Sequence, residues 1–148
     1  MTDYTDSNKI ISPPVPDWSR LSFLLVEDNQ DHQWLLSAVL RDTRVKVAAV
    51  QCGEDAVDLV RAALGRNEPY DLILMDIRLP TIDGYETTRR MRAAGYEGPI
   101  VAITARAMKE EVEACHGAGC DACVSKPFDR VVLRETLTGL LARTVLQD

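Results

Sequence analysis

No stretch of this chain has the run of apolar residues needed to cross a bilayer, and no basic segment followed by an apolar core opens it. The expected setting is cytoplasmic, with no membrane insertion. An excess of positive charge is also missing. The 148 residues sum to a formal charge of -6, with a pI near 4.9, so a polyanion would be repelled. A general nucleic-acid binder is excluded, and a cation or a basic protein surface fits better. Dinucleotide binding has no cradle, because no G-x-G-x-x-G follows the first apolar run. Cysteine is sparse. Cys115, Cys120 and Cys123 make a C-x4-C-x2-C spacing that superficially matches part of an iron–sulfur pattern. Cys115 falls in a helical pattern and Cys123 in a strand pattern, so no loop is left to wrap a cluster. With Cys52 they are expected to be reduced, mostly buried thiols.

What is present is an ordinary globular composition, 46% hydrophobic and 27% charged, on a chain long enough for one domain with a real core. Residues 1–20 are polar, carry Pro13, Pro14 and Pro16, and show no apolar period. They read as a flexible tail or linker ahead of a domain over 21–148. Trp18 is compatible either with packing on the domain or with an exposed linker. From Leu21 the pattern changes. Phe23-Leu24-Leu25-Val26 is a buried strand running into Glu27-Asp28-Asn29, and Trp34, Leu35, Ala38 and Val39 then recur at helical spacing. Val45, Val47 and Ala49 alternate with Lys46 and Ala48, as on an edge strand. A helix opening at Gly53 carries Ala56, Leu59, Val60, Ala63 and Leu64 on one face and ends by Asn67 and Pro69.

Leu72-Ile73-Leu74-Met75-Asp76 is a strand apolar on both faces, the habit of a central strand in a parallel sheet. Asp83-Gly84 marks a turn, and Tyr85 to Ala94 reads as a helix whose outer face carries Arg89, Arg90 and Arg92 as a solvated surface. Pro99 to Thr104 is a fourth strand. Met108, Val112 and Cys115 continue as a helix to Gly117 and Gly119, Asp121 to Ser125 forms a weaker fifth strand, and a last helix turns Leu133, Leu137, Leu140 and Leu141 inward. Strict strand–helix alternation predicts an α/β, doubly wound parallel sheet with helices on both faces. The stretch after Pro127 has room for that helix and for no effector domain.

Each buried strand ends in a polar group: Glu27 and Asp28, Asp76, Thr104, then Lys126. Alone, Asp76 could merely close its strand or cap a turn. Four polar strand ends at one sheet edge, carrying carboxylates, a hydroxyl and an ammonium, form a site, because parallel sheets bind ligands beyond the carboxyl ends of their strands. Converging carboxylates repel. Two unit charges about 4 Å apart oppose each other by roughly 4 kcal/mol at an effective dielectric near 20, which calls for a cation. Mg²⁺ suits such a shell, since it takes one or two carboxylates plus phosphate oxygens and keeps several waters.

The segments Val26-Glu27-Asp28-Asn29, Leu74-Met75-Asp76-Ile77, Ile103-Thr104-Ala105 and Ser125-Lys126-Pro127-Phe128 resemble the receiver domain of two-component response regulators. The likeness is strongest to receivers attached to hybrid histidine kinases and runs from about Ser22 to Leu141. It implies a flavodoxin-like five-stranded sheet in the order 2-1-3-4-5 and a role as a phosphoryl acceptor in a phosphorelay. By the resemblance, Asp76 takes a phosphoryl group from a phosphohistidine on a histidine kinase or a histidine-containing phosphotransfer protein. Asp28 binds Mg²⁺ directly, Glu27 reaches it mostly through water, and Asp76 and the backbone oxygen of Arg78 complete the protein ligands. Lys126 neutralises the phosphoryl group, and Thr104 donates its hydroxyl to the product, coupling the site to the surface of the fourth helix, fifth strand and fifth helix for a downstream protein partner. A cis peptide is implied at Lys126-Pro127.

One position departs from that pattern. Cys123 stands three residues before the lysine, where many receivers carry an aromatic switch residue. Arg78 and Arg106 each lie two residues beyond a site residue and are expected to flank the phosphoryl group and shield it from water. Two other readings compete. A pseudo-receiver that binds partners without phosphorylation is opposed by the intact set of polar strand ends. A phosphohydrolase of the haloacid dehalogenase type would need D-x-D, and Asp76-Ile77-Arg78 puts a cation where the second acid should be.

Overall fold

The computed structural model describes residues 14–147, with side chains through Arg143. Of the expected tail, residues 1–13 lie outside the described residues. Five strands form one parallel sheet: β1 (Ser22–Val26), β2 (Lys46–Val50), β3 (Leu72–Asp76), β4 (Ile100–Thr104) and β5 (Ala122–Ser125). Their order is β2-β1-β3-β4-β5, as the resemblance implied. The connecting helices are α1 (Gln30–Leu40), α2 (Gly53–Gly65), α3 (Gly84–Ala93), α4 (Lys109–Ala118) and α5 (Arg130–Gln147), with a 3-10 turn at Arg41–Thr43.

Two-residue periodicity explains the layering, because successive strand side chains face opposite sides of the sheet. Leu24, Val26, Ile73, Met75, Ile100 and Ala102 point to one side and pack with Val57, Val60 and Ala63 of α2, Met91 of α3 and Cys115 of α4. Phe23, Leu25, Leu72, Leu74, Val101 and Ile103 point to the other, against Leu36, Val39 and Leu40 of α1 and Leu133, Leu137 and Leu140 of α5. Both layers of β3 and β4 are fully buried, which is why these strands read as unbroken apolar runs. β2, at the edge, is partly exposed along its length.

Two expectations need correction, and the buried face of α1 is fixed by the fold. Trp34, Leu35, Ala38 and Val39 do fall on a helix, but together they are not its buried face: Trp34 is 65% exposed and Leu35 46%. The buried set is Leu36, Val39 and Leu40, an i, i+3, i+4 stripe. Apolar residues run most of the way round this helix, so periodicity alone could not choose the face. Arg92 is not an outer-face charge like Arg89 and Arg90. Its guanidinium donates to the carbonyls of Tyr96, Gly98 and Gly119 and pairs with Asp121 at 3.0 Å, tying the end of α3 to the end of α4. Element ends also move: α3 starts at Gly84 with Asp83 as its cap, the Asp83 side chain accepting from the Glu86 amide, and β5 starts at Ala122.

Trp18 packs on the domain. It is buried, its ring lies 5.5 Å from that of Phe23, and its amide donates to the Thr43 carbonyl at 2.8 Å. The four cysteines carry no disulfide. Cys115 and Cys120 are buried and Cys52 and Cys123 half-buried, and burial pushes the Cys115 thiol up to about 12. Among the described residues no helix is long and apolar enough to cross a membrane.

Candidate functional site

Parallel pairing brings the acids together. Val26 of β1 lies opposite Met75 of β3, so the next residues, Glu27 and Asp76, meet at the carboxyl edge of the sheet. Carboxylate oxygens of Glu27, Asp28 and Asp76 all fall within 4.8 Å of one another. Asp76 and Glu27 are buried, while Asp28 is exposed at the mouth. Short local bonds fix the carboxylates: the Asn29 amide donates to Glu27 at 3.1 Å and the Arg78 amide to Asp76 at 3.0 Å. Gln33 of α1 donates its side-chain amide to the Glu27 carbonyl at 2.7 Å and holds the β1 turn.

Lys126 faces the acids from the end of β5. Its ammonium is 3.3 Å from Glu27 and 3.6 Å from Asp76, and it donates to Nδ1 of His32 at 3.0 Å. The Lys126-Pro127 peptide is cis. Three carboxylates against one ammonium leave the cluster with surplus negative charge. Burial, reinforced by the Asp76 carboxylate and opposed by the Asn29 amide and Lys126, pushes Glu27 up to about 7. A carboxylate whose charge is this costly is suited to a cation, because an opposite charge within reach removes the penalty. The donor set, oxygen only and partly open, is of the hard type that Mg²⁺ takes. Among the described residues the Arg78 carbonyl accepts no hydrogen bond, leaving that oxygen available beside the acids. Glu27, Asp28, Asp76, Arg78 and Lys126 line one cleft of about 230 Å³.

Thr104 ends β4, next to Asp76's strand, but its hydroxyl donates to partners other than that carboxylate. It lies 3.2 Å from both the Arg106 carbonyl and a carboxylate oxygen of Glu111 on α4, and it is buried. It lines an adjoining cleft of about 600 Å³ with Asp28, Arg78, Tyr85 and Glu111. The structure thus brings Glu27, Asp28, Asp76 and Lys126 into one cluster and sets Thr104 beside it with its proton engaged elsewhere. The side chains of Arg78 and Arg106 are exposed at the rim. Sequence reasoning missed His32, Gln33 and Glu111. The first two lie in the opening of α1 and Glu111 in the first turn of α4, where polar residues ordinarily cap or solvate a helix.

The response regulator receiver domain model matches residues 23–138. The chain belongs to the response regulator receiver family. Among curated proteins, this receiver is 33% identical over 124 residues to the sensor histidine kinase RcsC of Escherichia coli, covering 84% of this chain and 12% of that one. It is also 33% identical over 124 residues to the osmosensing histidine protein kinase SLN1 of Saccharomyces cerevisiae, covering 82% of this chain and 10% of the kinase. The chain therefore spans only a small part of the curated relatives it matches. Among solved structures, the receiver domain of the sensor histidine kinase PA1611 from Pseudomonas aeruginosa superposes with a TM-score of 0.72 at 39% identity, covering 82% of this chain and 98% of that chain. That receiver was solved with a magnesium ion coordinated in its active site cleft. The chain is thus a two-component receiver of the kind found in hybrid kinases, a signalling domain.

Proposed function

We propose that this receiver accepts a phosphoryl group on Asp76 from a phosphohistidine of a histidine kinase or a histidine-containing phosphotransfer protein, in a Mg²⁺-dependent reaction. The observation that carries the reading is the cluster of three carboxylates within 4.8 Å with an ammonium 3.6 Å from Asp76. A lone structural aspartate needs neither. Glu27, Asp28, Asp76 and the Arg78 carbonyl would hold Mg²⁺, which when bound supplies positive charge against the phosphoryl oxygens. An oxygen of Asp76 attacks phosphorus as the bond to the histidine nitrogen breaks, and the imidazole leaves with the electron pair. Little covalent chemistry falls to the protein in such a transfer, so positioning and charge neutralisation do the work. The Arg78 amide orients Asp76, and Lys126 sits where it can balance the incoming charge. Thr104 then donates its hydroxyl to the phosphoryl group, shifting the surface of α4, β5 and α5 towards a downstream protein partner.

The acceptor hydrolyses its own phosphoryl group at most slowly. We assign the receiver to residues 21–148, with residues 1–20 as a tail from which Trp18 reaches back to the core, and we place the protein in the cytoplasm. Incubation with Mg²⁺ and acetyl phosphate should add one phosphoryl mass to the intact chain. Asp76→Asn should abolish the addition. No added mass on the wild type would favour the partner-binding pseudo-receiver, and the same addition on the variant would place the acceptor elsewhere.

A further inference from the structure

Resting on the assignment of Asp76 as acceptor, we propose that Glu111 is a positioning residue, a latch on α4 that holds the Thr104 hydroxyl until the phosphoryl group takes it. Thr104 has a single O–H. It is buried, and its proton is offered to the Glu111 carboxylate and the Arg106 carbonyl, each 3.2 Å away. A hydroxyl–carboxylate bond is charge-assisted and among the stronger of neutral-to-ion contacts. At 3.2 Å, and shared between two acceptors, it is long for an O–H donor. Such a bond biases the hydroxyl without locking it, as a releasable hold requires.

The single proton that bonds well to a phosphoryl oxygen on Asp76 is lost to Glu111, since a hydrogen bond weakens steeply as the O–H turns away from its acceptor. Phosphorylation therefore has to draw the Thr104 hydroxyl off Glu111, and α4 loses a tether at its first turn. That turn has little else to hold it. Its cap residue, Met108, makes no side-chain cap bond and is 53% exposed, and Lys109 and Glu110 are exposed. The link matters here because Cys123 occupies the β5 position where an aromatic residue could have sensed Thr104, and its sulfur instead packs 3.6 Å from Cys115 on the last turn of α4. The information leaves Thr104 through Glu111 at one end of α4, and the thiol pair pins the other end.

Thermodynamic reciprocity supplies the test, since a contact that opposes the activated arrangement must lower the affinity for whatever stabilises it. Beryllofluoride with Mg²⁺ serves as the phosphoryl probe, its binding read by fluorine NMR. Glu111→Ala should lower the half-saturating beryllofluoride concentration by about fivefold. Removing a negative charge near an anion site could do the same without any latch, so the change is repeated in Thr104→Val, which keeps the side-chain shape and deletes the hydroxyl. There Glu111→Ala should leave half-saturation unchanged, the signature of a contact between the two residues. An equal gain in both backgrounds, or no gain in either, overturns the latch. Absence of phosphoryl mass on the wild type with acetyl phosphate overturns instead the assignment of Asp76 on which it rests.

Discussion

The two flanks of Asp76 are built in different ways. On the β1 side, Glu27 accepts from the Asn29 amide and from Lys126 while Gln33 holds its carbonyl, around a surplus of negative charge shared with Asp28. On the β4 side, Thr104 and Glu111 share a long hydrogen bond between a strand end and a lightly held helix turn. A flank that stabilises charge gains from being rigid, because preorganised groups need not reorganise as charge moves. A flank that reports a change has to possess a second arrangement close in energy. The difference between them is the difference between doing chemistry and transmitting it.

The largest expected effect comes from breaking the rigid flank. Lys126→Ala removes the ammonium facing Glu27 and Asp76, and the rate of phosphoryl uptake from acetyl phosphate should fall by about a hundredfold, the usual loss when a charge-stabilising donor is deleted. An uptake rate within a few-fold of wild type would show that the two flanks do not divide the work as described.

A thermal unfolding series with and without Mg²⁺ examines the same flank without chemistry. Burial raises Glu27 from 4.5 in its ordinary state to about 7 in the fold. Between those values the folded chain keeps a proton that the unfolded chain has lost, so stability falls as pH rises from 4.5 to 7 and the penalty is complete above 7. A bound cation relieves it. Stabilisation by Mg²⁺ should therefore be larger near pH 8 than near pH 5, reaching about 2.7 kcal/mol at a hundredfold excess over its Kd. Equal stabilisation at both pH values would mean that Glu27 is not the group the metal relieves.

The smallest effect concerns the rim that spans both flanks. Arg78 and Arg106 are exposed beside Asp76 and Thr104. Replacing them together, Arg78→Asn with Arg106→Glu, should speed loss of the aspartyl phosphate by about threefold, the scale of an exposed charge pair. Unchanged release, followed by inorganic phosphate appearing over time, would leave both guanidiniums as solvated surface.

Much of this was legible in the residues. Alternation of apolar runs with helical periods yields a parallel sheet, and the polar residue closing each run marks the edge where ligands bind. The spatial order of the strands came from family likeness, because periodicity says which side chains face the core and nothing about which strands are neighbours. Which apolar residues of α1 are buried was not legible, because Trp34 and Leu35 are as apolar as the ones that are. Arg92 misled because its bonds are to carbonyls of Tyr96, Gly98 and Gly119, and backbone acceptors leave no mark in a sequence.

The sequence by itself determined that Asp76 would end a buried strand, that Glu27 and Asp28 would end another, and that Lys126 would precede a proline at a third, since hydrophobic burial dictates where an apolar run must stop. Only the tertiary structure decided that His32 would meet Lys126 and that Thr104 would give its proton to Glu111 and not to Asp76. Those contacts join residues on different elements, and a hydroxyl's choice among nearby acceptors is set by distances of a few tenths of an ångström that no local pattern encodes.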